Sequence, residues 1–186
     1  MLTVLENELL TKTGPGTPMG TLFRRYWLPA FLSSELPDLD GSPLKLNLLG
    51  ELLVAFRDSN GQVGILEAYC PHRGSNLYWG RNEESGLRCV YHGWKFDTSG
   101  QCVDMPNEPA ESRFKEKVST TSYPTEEAGG VVWVYMGPSH LKPQRPQFEW
   151  ASVPANQRYV HKRIQRNNYL QNVEGEIDSA HVSFLH

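Results

Sequence analysis

The chain has 186 residues, 39% of them hydrophobic and 21% charged, with a formal net charge of −3. That is the make-up of a globular protein with room for one sizeable domain and part of a second, and the slight acidity excludes bulk attraction to nucleic acid or an anionic membrane. No apolar run approaches the ~20 residues of a spanning helix, the N-terminus lacks the apolar core of a secretory signal, and three cysteines are too few for a disulfide scaffold, so a cytoplasmic protein is predicted.

Residues 1–20 end in Thr-Gly-Pro-Gly-Thr-Pro-Met-Gly, which predicts an extension without long regular structure. Thr21–Phe31 (TLFRRYWLPAF) predicts a short helix stopped at Pro29, then an extended strand. Leu44, Leu46 and Leu48 alternate with Lys45 and Asn47, the period of a half-buried strand. Gly50-Glu51 turns the chain, Leu52–Arg57 returns it, Asp58–Gly61 (DSNG) is a hairpin turn, and Val63–Tyr69 is the next strand. Trp94–Phe96 and Cys102-Val103 flank a second turn at Asp97–Gly100 (DTSG), and Val131–Tyr135 (VVWVY) reads as a buried strand. No internal repeat is expected. Repeated prolines make 141–157 a linker, Arg158–Gln165 is a candidate strand, and Asn168–His186 reads as one helix, with Leu170, Val173, Ile177, Ala180 and Phe184 at helical spacing.

Chemistry concentrates in two segments. In the first, Cys70-x-His72 is followed after sixteen residues by Cys89-x-x-His92. Thiolate with imidazole suits zinc or an iron–sulfur centre. Structural zinc sites usually draw Cys-x₂₋₄-Cys and His-x₃₋₅-His, whereas here each half supplies one sulfur and one nitrogen. Two facing loops of that kind suit a Rieske-type [2Fe–2S] cluster, with Cys70 and Cys89 on one iron and His72 and His92 on the other. A zinc-binding interaction module stays the alternative, to be recognised by zinc without acid-labile sulfide. Gly74 and Gly93 allow close backbone approach to the cluster, and the leftover Cys102 reads as a small apolar filler.

The flanks, Cys70-Pro-His-Arg-Gly74 and Cys89-Val-Tyr-His-Gly-Trp-Lys-Phe96, resemble the two cluster loops of Rieske oxygenases. Respiratory Rieske proteins carry an extra loop disulfide and hydroxyl donors after the second His; the matching positions here are Ser75 and Tyr91, then Trp94 and Phe96. That difference predicts a reduction potential near the low end of the Rieske range, roughly −150 mV. Tyr78, Trp79, Trp94 and Phe96 are expected to pack round the cluster edge, with Arg73 and Lys95 as solvated flanking charges. Arg113–Lys117 and the basic set Arg158, Lys162, Arg163 and Arg166 read as solvated surface.

The second segment contains Asp178, His181 and His186. Asp178 and His181 share a helix face, and two His with a carboxylate form the facial triad of non-haem Fe(II) oxygenases. With a Rieske centre upstream, Asp-x-x-His-x₄-His resembles the mononuclear-iron motif of Rieske oxygenase α subunits. The resemblance makes His181 and His186 iron ligands and Asp178 the electron-transfer bridge to the neighbouring subunit's cluster, with a third ligand, an Asp, far downstream. The chain stops at His186, so an N-terminal fragment is expected. Glu174, Glu176 and Asp178 lie too close together in sequence to complete the triad.

TKTGPGTPMG, RRYWLPA, YCPHRGSNLYWGRNE, CVYHGWKFD, DMPNEPAESRFKEKV and QNVEGEIDSAH together are similar to the phthalate dioxygenase branch. The expected fold is mainly β: an extension (1–20), a Rieske [2Fe–2S] domain of small antiparallel sheets (21–140), a linker (141–157) and the first elements of an α+β catalytic domain (158–186). The resemblance implies a homotrimeric oxygenase component that receives electrons from a flavin- and NAD(P)H-dependent reductase and uses O₂ to hydroxylate or demethylate an aromatic acid. A stand-alone Rieske ferredoxin is the rival reading; it leaves 158–186 without a role.

Overall fold

The computed structural model describes residues 2–109 and 111–185. The chain opens with α1 (Val4–Thr11) and α2 (Pro18–Phe23). Among the described residues eleven strands follow: β1 (Trp27–Leu32), β2 (Leu44–Leu48), β3 (Glu51–Arg57), β4 (Val63–Glu67), β5 (Arg81–Glu83), β6 (Gly86–Arg88), β7 (Lys95–Phe96), β8 (Cys102–Asp104), β9 (Ser122–Tyr123), β10 (Thr125–Ala128) and β11 (Val131–Tyr135). The tail carries α3 (Glu149–Ser152), α4 (Tyr169–Ile177) and α5 (Ser179–Leu185). Among the described residues no helix is long and apolar enough to cross a membrane.

The strands form three antiparallel sheets, ordered β1-β11-β10, β2-β3-β4-β9 and β5-β6-β7-β8. The apolar run of β3 follows from its place in the middle of the stack. Leu53 and Ala55 point into a core shared with Phe31, Val132 and Val134, while Val54 and Phe56 point into a second core shared with Cys70, Leu77, Leu87, Cys89, Trp94 and Phe96. A strand buried on both faces needs no polar alternation. Val131–Tyr135 is buried at every position, as the centre of its sheet requires. The small mainly β fold expected from the sequence is the one observed.

The two hairpin turns are built alike. Asp58 Oδ1 accepts the N–H groups of Asn60 and Gln62 at 2.9 and 2.8 Å, and Asp97 Oδ1 those of Ser99 and Gln101 at 2.9 and 3.0 Å. Gly61 and Gly100 close them at φ +82°. The two turns share one pattern, DSNGQ and DTSGQ, and both were read as turns from the sequence.

Four local expectations are corrected. The first twenty residues hold a capped helix: Glu6 N–H donates to Thr3 Oγ1 while Thr3 N–H donates to Glu6, a reciprocal cap that offsets the short length of α1. Pro29 stops no helix but lies in β1, an edge strand with a bulge between Pro29 and Phe31, where its missing N–H costs no ladder bond. Residues 158–165 form no strand. The C-terminal helix is two helices, because Asp178 leaves the helical region at φ −79°, ψ 90° and caps α5.

The tail is tied to the start of the chain. Tyr169 Oη donates to the Leu10 carbonyl at 2.7 Å, and its ring meets Phe23 edge-on at 4.8 Å. Arg24 joins this N-terminal arm to the middle sheet by donating to Thr13 O, Gly20 O, Leu49 O and Glu51.

Candidate metal centre

The loop after β4 presents Cys70 and His72, and the loop between β6 and β7 presents Cys89 and His92. One hydrogen-bond frame is used twice. Cys70 N–H donates to Ser75 O at 2.8 Å and Gly74 N–H to Cys70 O at 2.9 Å; Cys89 N–H donates to Trp94 O at 2.8 Å and Gly93 N–H to Cys89 O at 3.0 Å. Each frame needs a residue at positive φ, supplied by Gly74 at +68° and Gly93 at +75°. The different spacing, Cys-x-His against Cys-x-x-His, leaves the frames equal.

The frames place like donors together. Cys70 and Cys89 are 2% and 4% exposed and share one core, near enough for Cys89 to perturb the Cys70 thiol. The His72 and His92 ring centroids are 4.6 Å apart. Burial first, and Cys89 beside it, push the Cys70 thiol up to about 11. Burial first, then His92 and Arg73, lower the pKa of His72, which favours the neutral, ligating imidazole. His72 Nδ1 is buried with no hydrogen-bond partner. A buried ring nitrogen left so is costly unless something binds it. Two thiols beside two imidazoles, one of them with this orphaned nitrogen, fit a bridged iron pair in which each iron takes one like pair. Cys102 is 3% exposed and packs in the adjoining core.

Arg88, immediately before Cys89, clamps the second loop. It donates from Nε to Glu83 at 2.5 Å and from Nη1 to Asp104 and to Gly93 O, each at 2.7 Å. Pro106 seals the other side: a Cβ on Gly93 would meet Pro106 Cγ at 2.6 Å. Gly93→Ala therefore combines a strained left-handed backbone with a clash and is expected to cost about 1–3 kcal/mol, read as a lowered Tm in thermal melts. An unchanged Tm would show that Pro106 gives way freely.

Two expectations about the loop surroundings are corrected. Lys95 is no solvated charge; it is 6% exposed and its Nζ lies 3.2 Å from Glu84 Oε2. Trp79 does not pack on the loop interior but is 65% exposed, with the Lys45 ammonium 4.9 Å from its ring. Arg88, Pro106 and Asn107 were not singled out from the sequence. Arg88 had a faint signal in its position next to Cys89, and Pro106 and Asn107 lie in the DMPNEPAESRFKEKV segment that carries the resemblance, with nothing there to say what either touches.

At the C-terminus, Asp178 Oδ1 accepts the N–H groups of Ala180 at 2.9 Å and His181 at 3.4 Å, and its Oδ2 lies 3.8 Å from His181 Nδ1. The helix break thus brings Asp178 and His181 together. His186 lies outside the described residues. Glu174 and Glu176 are exposed on α4. Among the described residues no three His, Cys, Asp or Glu side chains gather round one ion.

A family model described as the Rieske [2Fe-2S] domain matches residues 26–124. The chain is 52% identical over 181 residues to a 3-chlorobenzoate-3,4-dioxygenase oxygenase subunit of Comamonas testosteroni, covering 97% of this chain and 42% of that protein. It is 48% identical over 186 residues to a phthalate 4,5-dioxygenase oxygenase subunit of Pseudomonas putida, covering 100% of this chain and 42% of that one. Among solved structures, dicamba monooxygenase bound to dicamba superposes with a TM-score of 0.62 at 31% identity, over 70% of this chain and 41% of that chain. The chain thus spans about 42% of the length of both oxygenase subunits.

Proposed function

The chain belongs to the Rieske [2Fe-2S] domain family, and from that premise we propose that it forms the electron-receiving part of an oxygenase component acting on an aromatic acid such as phthalate. Cys70 and Cys89 hold one iron of the cluster, and His72 and His92 the other. When bound, the cluster relays single electrons from a flavin- and NAD(P)H-dependent reductase, and a mononuclear iron activates O₂ for hydroxylation or demethylation. His181 and His186 are two ligands of that second iron, whose third ligand lies outside this chain. Asp178 is the bridging carboxylate toward a neighbouring subunit in a cytoplasmic homotrimer.

The observation that carries this reading is the doubled loop frame, with its paired thiols, paired imidazoles and orphaned His72 Nδ1. The residues divide the work. Gly74 and Gly93 set the loop curvature, Leu77, Leu87 and Phe96 keep water from the buried thiols, and Asp178 accepts from the backbone of α5 while its second oxygen faces His181. A separate electron carrier is disfavoured because it leaves residues 158–186 without a role. Domain limits of 21–140 for the cluster-bearing part, 141–157 for the linker and 158–186 for the start of the catalytic part are part of the proposal.

The test has two stages. Anaerobically prepared protein is expected to contain about two irons and two acid-labile sulfides per chain and to show a rhombic EPR signal after reduction. A longer protein continuing beyond His186, mixed with reductase and NAD(P)H, is expected to consume O₂ on addition of phthalate or a chlorobenzoate. Zinc without sulfide would overturn the cluster assignment; a competent cluster with no O₂ uptake on any aromatic acid would overturn the oxygenase assignment.

A further inference from the structure

The structure assigns to Asn107 a positioning role: through Trp94 it fixes the ring plane of His72. The inference rests on the reading of His72 as a cluster ligand. Trp94 closes the second loop, yet its indole lies flat on His72 of the first, with centroids 4.3 Å apart and planes 6° from parallel. His92 meets the His72 ring at 62° from another side. His72 is therefore held between one ring of the second loop face-on and another tilted steeply to it. Trp94 is 6% exposed, and Phe114 approaches it edge-on at 6.3 Å.

Stacking alone does not fix the tilt of the pair, because aromatic rings pack favourably both offset-stacked and edge-to-face. Beside the core packing of Trp94, its tilt about the Cα–Cβ and Cβ–Cγ bonds is held by one bond, Trp94 Nε1–H to Asn107 Oδ1 at 2.7 Å. Asn107 sits in an exposed turn after β8, closed by Glu108 N–H donating to Met105 O at 3.0 Å. An indole N–H without its acceptor turns to find water, and the surface against His72 turns with it. The imidazole then samples several orientations where it had one, which weakens its hold on the iron. Partners that orient a metal-bound His act in this way.

The test uses the full chain with its cluster, comparing Asn107→Leu, which removes the acceptor, with Asn107→Asp, which keeps one. Asn107→Leu is expected to broaden the EPR signal of the reduced cluster and to speed its bleaching by a chelator about tenfold, while Asn107→Asp stays within about twofold of the parent. In a Trp94→Phe background, where a ring remains but no N–H, Asn107→Leu is expected to change neither reading. Parent-like behaviour of Asn107→Leu, equal damage by both Asn107 variants, or a further loss in the Trp94→Phe background would each overturn the proposal. A parent chain that takes up no cluster would overturn the ligand reading beneath it, an outcome distinguishable because it appears before any variant is made.

Discussion

Replacing either buried loop cysteine, Cys70→Ser or Cys89→Ser, is expected to lower bound iron and sulfide from about two of each per chain to near zero, whereas Cys102→Ser keeps the full complement. The contrast is sharp because all three thiols are buried to within 2–4% exposure, so burial alone cannot separate them. What separates them is the loop frame: Cys70 and Cys89 are each bonded by N–H to the carbonyl five residues on, while Cys102 pairs in β8 with its Sγ 3.4 Å from Asp104 O. Iron and sulfide analysis of the three variants checks this, and retention of the cluster in Cys70→Ser would remove that residue from the ligand set.

The same burial gives a pH dependence of definite sign. The Cys70 thiol is raised from 9.0 to about 11, chiefly by desolvation, so the metal-free fold favours the neutral thiol. Its contribution to metal-free stability is complete below the ordinary value of 9.0 and is lost as pH rises toward about 11. Metal uptake needs the thiolate, so assembly releases protons and becomes easier as pH rises through the same range. Damage from a lost cluster should concentrate in the core that contains Cys70 and Cys89. The core of Phe31, Leu53, Ala55, Ile65, Val132 and Val134 contains neither. Hydrogen exchange is therefore expected to rise in the two loops and in β5–β8 before it rises in β1 or β11.

Both loops were legible in the sequence because each is contiguous: the donors, the glycine and the turn lie within five or six residues, and the frame is local. The hairpins of the middle sheet were legible for the same reason, from the Leu44–Leu48 alternation and the Asp-Ser-Asn-Gly turn. Errors arose where a residue's state depends on a distant partner. Lys95 carries a charge that reads as solvated until β7 pairs with β6 and brings Glu84 over it. Residues 158–165 have a strand's composition but run beside β1 across a cavity without pairing to it. Helical spacing across 168–186 cannot distinguish one helix from two that share a capping aspartate, since Leu170, Val173 and Ile177 keep their period up to the break. The role of Asn107 is hidden in the sequence, although the DMPNEPAESRFKEKV segment that contains it is quoted for the resemblance, because a single acceptor in a turn acquires that role only when Trp94 crosses from one loop to the other. Thr3 and Glu6, by contrast, did carry a capping signature that the nearby turn-rich stretch obscured.

Arg88→Met is expected to lower stability by about 2 kcal/mol, between the ~1 kcal/mol of an exposed pair and the ~3–5 kcal/mol of breaking a buried one, and so to lower Tm by roughly 4–8 °C. Methionine fills most of the volume but offers no donor. Glu83 and Asp104, side chains 32% and 42% exposed, then repel across the space that the guanidinium spanned, and Gly93 O loses the bond that ties the second loop to β6. Solvent reaching both carboxylates keeps the loss below that of a fully buried pair. In the parent, the bond from Arg88 is the largest cause holding both carboxyls below their ordinary values of 4.5 and 3.8. A depressed carboxyl stabilises the fold above its ordinary value and loses that effect as pH falls through the depressed one. The parent therefore loses Tm below about pH 4.5 in part because this network protonates, and Arg88→Met has less of that stability to lose. Melting curves of the two proteins should be well separated at neutral pH and converge in acid. Parallel curves down to pH 3 would mean that the arginine acts by packing alone, because a lost hydrophobic contact has no reason to follow the titration of Glu83 and Asp104.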